Sequence, residues 1–268
     1  MIQPHDDLIK KCEAVLAPLG KRGEENKVRL LVALAALFQS LASKQPFLQA
    51  YPSFSDLFFL FRDHLDRRDP EVLEDDLAAI YCCLHGSDRA YSDSERQEMD
   101  AAGGYWCHAG GLSPLLQAAP YIDHGTRLVD YGAGNGLQGL LFQYLYPHGK
   151  TVQIELSGPM IEGGKRLQSF MGIPEDRVVW VHGNVMDVPP RDFDFIYLYR
   201  PLRPEGAQGR KFYENFAREL DQVRHRVTIF SIADCLKDFL SDRFAIFHDD
   251  GHLTCFSNGG RDGAGSGP

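Results

Sequence analysis

The sequence of 268 residues lacks several features that would assign it quickly to a class. It has no CxxC pair, and its six cysteines (12, 82, 83, 107, 235 and 255) include no two at metal-ligand spacing with a nearby histidine. No metal cage is therefore expected, and the thiols read as reduced and mostly buried in a cytoplasmic protein. No apolar run approaches the roughly 20 residues that cross a bilayer. The longest, from Leu30 to Phe38, fits a buried helix, so no membrane partner is expected. The first residues, Met-Ile-Gln-Pro-His-Asp-Asp, are acidic where a signal peptide would be basic. Cationic excess is absent too. The formal charge is -9, which argues against a phosphate backbone as partner and sets the expectation of no nucleic acid.

What is present divides into two textures. Residues 6–20, Glu24–Ala42, Phe54–Leu65 and Pro70–Leu84 read as helices. The second is apolar on most faces, and the fourth carries Pro70 at its start with Glu71, Glu74, Asp75 and Asp76 in its early turns. From Thr126 onward strands and helices alternate. Strands are expected at Arg127–Tyr131, Thr151–Glu155, Val178–His182, Phe193–Leu198 and Val227–Ser231, with helices near Leu137–Leu145, Pro159–Met171 and Lys211–Asp221 and a brief one over Cys235–Leu240. Phe244–His248 and Leu253–Ser257 flank Asp249-Asp250-Gly251-His252 as a hairpin. The expected fold is α/β: a Rossmann-like, mostly parallel sheet that ends in an antiparallel hairpin, behind an N-terminal helical domain. The expected division is residues 1–91 helical, 92–120 a glycine-punctuated bridge or lid, 121–258 the nucleoside-binding domain, and 259–268 a disordered tail.

The chemistry concentrates in Leu-Val-Asp-Tyr-Gly-Ala-Gly-Asn-Gly, residues 128–136. An apolar strand runs into a glycine turn and then a helix. Glycines let the backbone bend sharply and approach a ligand, and amides at a helix start favour an anion. The turn is answered by Glu155, at the end of the next strand and nineteen residues after Gly136, where a carboxylate can accept from ribose hydroxyls. A dinucleotide fingerprint, G-x-G-x-x-G, would need glycine at 137, which is Leu137. Hydride transfer is thereby disfavoured, and without G-K-[ST] so is a triphosphate P-loop.

At these residues the chain resembles the class I S-adenosylmethionine-dependent methyltransferases, over about residues 120–257. The resemblance implies that Asp130, Gly132, Ala133, Gly134, Asn135 and Gly136 wrap the amino-acid end of the cofactor, although Asp130 equally suits ordering the turn. It implies that Glu155 takes both ribose hydroxyls, that Met160 lies against adenine within Glu155-Leu156-Ser157-Gly158-Pro159-Met160, that Asn184, in the slot of Gly-Asp-Ala, accepts from the adenine amine, and that Leu156 and Val185 join the cofactor contacts. The cofactor it implies is S-adenosyl-L-methionine.

The acceptor side is written less clearly. Tyr197-Leu198-Tyr199-Arg200-Pro201 ends the fourth strand, where family members place substrate contacts, and the Asn-Pro-Pro-Tyr of many N-methylating relatives is absent. Tyr199 is a candidate catalytic residue. His108, in the bridge, is another, with a side chain suited to proton abstraction near neutrality. Tyr91 and Tyr105 are candidates for the cofactor's carboxylate. The function expected from these residues is methyl transfer to a small-molecule nucleophile. A protein side chain as acceptor, and a non-catalytic S-adenosylmethionine-binding or protein-interaction module, stand as alternatives.

Overall fold

The apolar run of the sequence becomes the central helix of a helical region. In the computed structural model, which describes residues 4–21, 23–86, 91–104, 109–233 and 236–259, helix α2 (Glu25–Ala42) buries Leu30, Leu31, Leu34, Ala35, Leu37, Phe38 and Leu41. A helix apolar around so much of its girth must be covered on several sides. It is packed by α1 (Pro4–Gly20), α3 (Gln45–Ala50), α4 (Pro52–Arg67) and α5 (Pro70–His85). Helix α1 carries Pro18 inside its last turn rather than stopping there; burial of Leu16 and Leu19 on either side offsets the one backbone hydrogen bond that proline forfeits. Helix α3 was not expected. Its Phe47 meets Tyr51, Phe54 and Phe170 at ring-centroid distances of 4.9, 4.8 and 5.5 Å, so tertiary packing stabilises a helix too short to stand alone.

Helix α6 (Asp93–Ala102) begins with a capping box, in which Ser92 and Glu95 each satisfy the other's backbone N–H. After α7 (Ser113–Ala118) the sheet begins. Its strands are β1 (Arg127–Tyr131), β2 (Lys150–Glu155), β3 (Val178–His182), β4 (Phe195–Tyr199), β5 (Thr228–Ile232), β6 (Ala245–Asp249) and β7 (Leu253–Ser257). They lie in the order β3-β2-β1-β4-β5-β7-β6. Pairing is parallel from β3 through β5, and β7 runs antiparallel to both its neighbours. Helices α8 (Leu137–Leu145), α9 (Gly158–Met171) and α10 (Ala207–Asp221) make the crossovers. Order reverses between β1 and β4, the point beyond which ligands bind in open parallel sheets.

Two clusters of buried side chains hold these layers. One runs from α1–α5 through α7 and α8 to Phe195, Tyr197 and Phe230; the other joins Val129, Ile154, Ile196 and Ile229 to Phe212 and Phe216 of α10. At the hairpin, Asp250 accepts from the N–H groups of His252 and Leu253 and from the Ser113 hydroxyl. Burial works against its ionised form, but those donors win, and its carboxyl is held down to about 2. The helix expected over Cys235–Leu240 is a set of turns over 236–240 instead; Leu236 is fully buried and anchors so short a segment without helical continuation. Among the described residues no helix is long and apolar enough to cross a membrane.

Helix α9 lies against the glycine turn itself. A Cβ on Gly164 would fall 2.6 Å from the Asn135 carbonyl oxygen and strike the Trp180 ring. Gly164→Ala is therefore expected to destabilise the fold by roughly 1–3 kcal/mol, despite alanine's better helix propensity. Urea unfolding checks this; a variant as stable as the parent would show that α9 stands off the turn.

Candidate active site

Strand β1 ends in a bend that three positive φ angles create: Gly132 at 77°, Gly134 at 58° and Gly136 at 70°. These lie in the left-handed region that costs an L-residue with a Cβ about 1–2 kcal/mol. The bend is stitched to β2. Gly132 and Ala133 donate to the Ile154 carbonyl at 3.0 and 2.8 Å. Gly134 N–H donates to Glu155 Oε2 at 2.7 Å, and Ser157 N–H to Oε1 at 2.8 Å. Parallel pairing of β1 with β2 thus carries the carboxylate directly to the turn.

Above this junction opens a cleft of about 840 Å³, counting the open solvent at its mouth. Gly132, Ala133, Gly134, Glu155, Leu156, Met160, Asn184, Val185 and Tyr199 line it. Asp130, Asn135 and Gly136, expected to wrap a ligand, are not among the residues that line the cleft. Asn135 donates to the Leu84 carbonyl at 2.7 Å, and a Cβ on Gly136 would strike Trp180 and Gln153. These three shape the bend. Asn184 accepts from Met186 N–H at 2.9 Å and caps a short turn, leaving a second carbonyl lone pair for a ligand. His182 bonds the Leu156 carbonyl at 2.9 Å. Tyr105 and His108 lie outside the described residues.

The helical region supplies a wall that the motifs did not announce. His85, Tyr91, Met99 and Gly104 also line the cleft, with Pro201 and Leu202 from the loop after β4. Of these, Tyr91 stood out in the sequence, and Pro201 as the end of the segment Tyr197-Leu198-Tyr199-Arg200-Pro201. Tyr91 and Met99 pack on Met160 and Leu156. Gly104 bridges to Leu202, and Arg203 N–H donates to the Gly103 carbonyl at 2.7 Å. Arg200 takes a left-handed φ of 38° and pairs with Glu205 at 2.7 Å, while Tyr199 meets His252 edge-on at 5.9 Å.

Charge is costly in the floor. Burial raises the carboxyl of Glu155, against the pull of the Ser157, Gly134 and Leu156 amides. Asp130, only 2% exposed, is pushed up to about 8, first by burial and then by Glu155, with the Gly139 amide opposing. Around it stand Tyr81, whose hydroxyl donates to Gln138 at 2.7 Å, and Tyr197, both with phenols raised by burial. Glu155, the acid that lines the cleft, offers hydroxyl donors an acceptor there, while Asp130 holds its proton below.

A cleft at the switch point, a bend of backbone amides and a buried acid ending β2 fit S-adenosylmethionine, and the chain is similar to S-adenosylmethionine-dependent methyltransferases of class I. A curated relative is the ribosomal RNA small subunit methyltransferase G of Chromohalobacter salexigens, 26% identical over 173 residues, covering 59% of this chain and 78% of the relative. Solved structures with similar folds include a conserved hypothetical protein of Streptococcus pyogenes (TM-score 0.44, 18% identity, 56% of this chain and 95% of the other). Another is an RNA methyltransferase of Salinibacter ruber in complex with S-adenosyl-L-homocysteine (TM-score 0.41, 19% identity, 55% and 87%). No protein-family profile matches the chain. The relative corrects one expectation, that no nucleic acid is involved, because its own substrate is ribosomal RNA. The error is physical. A formal charge of -9 averages over the whole surface, whereas phosphate recognition depends on local cations.

Proposed function

We propose that this methyltransferase modifies RNA, on a nucleotide presented singly at the mouth of the cleft. The observation that carries the methyl-transfer half is the contact of Glu155 with Gly134, which sets a ribose acceptor and an aminoacyl cradle side by side. The RNA half draws on the likeness to a ribosomal RNA enzyme and on exposed Arg203, in the loop that follows the lining residues Pro201 and Leu202, and exposed Arg210 and Lys211 in the first turns of α10. Cations at a rim hold phosphates while an extruded base enters.

The cofactor supplies a methyl group already activated on a sulfonium, so the protein's task is positioning and exclusion of water. Glu155 accepts from the ribose hydroxyls with the lone pairs that Gly134 and Ser157 leave open. Leu156, Met160 and Val185 offer apolar walls to the base, and Asn184 its carbonyl. The Gly132–Gly134 bend meets the aminoacyl arm. Tyr199, at the end of β4, orients the acceptor; its phenol is raised by burial and stays protonated, a hydrogen-bond donor rather than a base. The same reading places the enzyme in the cytoplasm with reduced thiols.

A small-molecule acceptor is the second reading, favoured by the partial roof of His85, Tyr91, Met99 and Gly104. The test incubates the enzyme and methyl-labelled S-adenosylmethionine with cell extract and separates RNA, protein and small molecules. Label that enters RNA, is released by ribonuclease and falls steeply with added salt is expected. Label confined to the small-molecule fraction would overturn the RNA reading in favour of the second.

A further inference from the structure

His85 belongs to no motif, yet the fold brings it into the cofactor cleft from a helix that precedes the sheet in the chain. It is the last residue of α5 and lines the cleft together with Gly132, Ala133 and Gly134. Both chain neighbours are fixed to the glycine turn. The Leu84 carbonyl accepts from Asn135 Nδ2 at 2.7 Å. Gly86, at φ 87°, lies so close that a Cβ there would be 3.4 Å from the same nitrogen. The His85 ring is 6.2 Å from that of Tyr81, inclined at 45°, and Tyr81 is tied to Gln138 in the first turn of α8. The imidazole is thus anchored at the end of the cleft where the turn passes into α8.

The other end is chemically distinct. Glu155, Leu156, Met160, Asn184 and Val185 offer a hydroxyl acceptor and apolar walls, which suits an adenosine. By elimination the aminoacyl arm lies toward the turn. Its carboxylate then needs donors, and the α8 N-terminus, favourable to an anion, supplies only backbone. Glu155, at the adenosine end, repels a carboxylate there. With Tyr91, the other candidate, packed on Met160 and Leu156 at the opposite end, the imidazole of His85 is the side chain that the helical region brings to the turn.

We propose that His85 donates a hydrogen bond to the carboxylate of the cofactor's aminoacyl arm, so that the helical region and the glycine turn grip that arm together. The proposal deepens the cofactor half of the reading above and does not depend on the acceptor being RNA.

The test is calorimetric and needs no acceptor. S-Adenosylhomocysteine carries the carboxylate, and 5′-methylthioadenosine keeps the adenosine and sulfur but lacks the arm's carboxylate. His85→Ala is expected to weaken S-adenosylhomocysteine binding roughly 10- to 100-fold, the range of one charge-assisted hydrogen bond, and to leave 5′-methylthioadenosine within about twofold. His85→Gln, which retains an N–H donor, is expected to recover part of the loss, and an unchanged melting temperature in both variants excludes a folding defect. Equal losses for both ligands, or none for S-adenosylhomocysteine, would overturn the proposal. Unchanged S-adenosylhomocysteine affinity with slower turnover would likewise overturn it and assign the imidazole to the acceptor. Should the parent protein bind neither ligand, the cofactor reading itself fails, and that result is distinct from a parent that binds both.

Discussion

Replacement of Glu155 by alanine is expected to weaken S-adenosylhomocysteine binding by about 10²- to 10⁴-fold. Two ribose hydroxyls donating to one carboxylate form charge-assisted bonds of roughly 1.5–3 kcal/mol each, and each 1.4 kcal/mol is about tenfold. The residue is 4% exposed, so solvent barely screens the interaction. The same substitution frees the Gly134 and Ser157 amides, and the turn itself loosens. A ligand cycle separates these effects. With 2′-deoxy S-adenosylhomocysteine the parent protein should lose affinity, while Glu155→Ala should show no further loss. If both proteins respond equally to the missing hydroxyl, Glu155 does not hold the ribose and the cofactor lies elsewhere in the cleft.

Asp130→Asn is expected to change how stability depends on pH. An unfolded aspartate releases its proton near pH 3.9, whereas the folded carboxyl, held up by burial and by Glu155, does so near 8. Between those values the native state binds more protons than the unfolded one, so unfolding free energy falls as pH rises. The contribution of Asp130 is fully present below about pH 4 and is lost as pH climbs through about 8. At about 1.4 kcal/mol per pH unit, less what coupling to Glu155 redistributes, the loss comes to roughly 2–5 kcal/mol. Asparagine has no proton to lose and keeps an acceptor for the Gly139 amide. Urea midpoints at pH 5, 6.5 and 8 should show the variant gaining on the parent as pH increases. Parallel curves would mean that Asp130 is ionised throughout, stabilised by donors other than the Gly139 amide.

Much of this was legible because β1, the glycine bend, α8 and β2 follow one another in the chain. Strand period, turn glycines and helix period each leave a local mark, and Glu155 falls where the βαβ unit must put it. The antiparallel end was legible for the same reason, through Asp249-Asp250-Gly251-His252. What escaped depends on contacts distant in sequence. Asp130 and Gly136 sit in the motif but turn inward, a direction set by Tyr81, Tyr197 and Trp180 rather than by spacing. His85, Met99 and Gly104 reach the cleft only because α5 and α6 dock on the sheet, and no periodicity in those helices marks the residue that protrudes. Nucleic acid was set aside because a sum of charges has no geography.

The bridge between Gly104 and Leu202, with the Asn135–Leu84 bond behind it, bears on how this enzyme could be dissected or grafted. A fragment starting after the bridge would keep every recognisable motif and still be an incomplete container, its apolar inner wall laid open to water. Shuffling the motif-bearing half onto another scaffold would transfer the signature without the vessel, so the two halves have to be inherited as a pair.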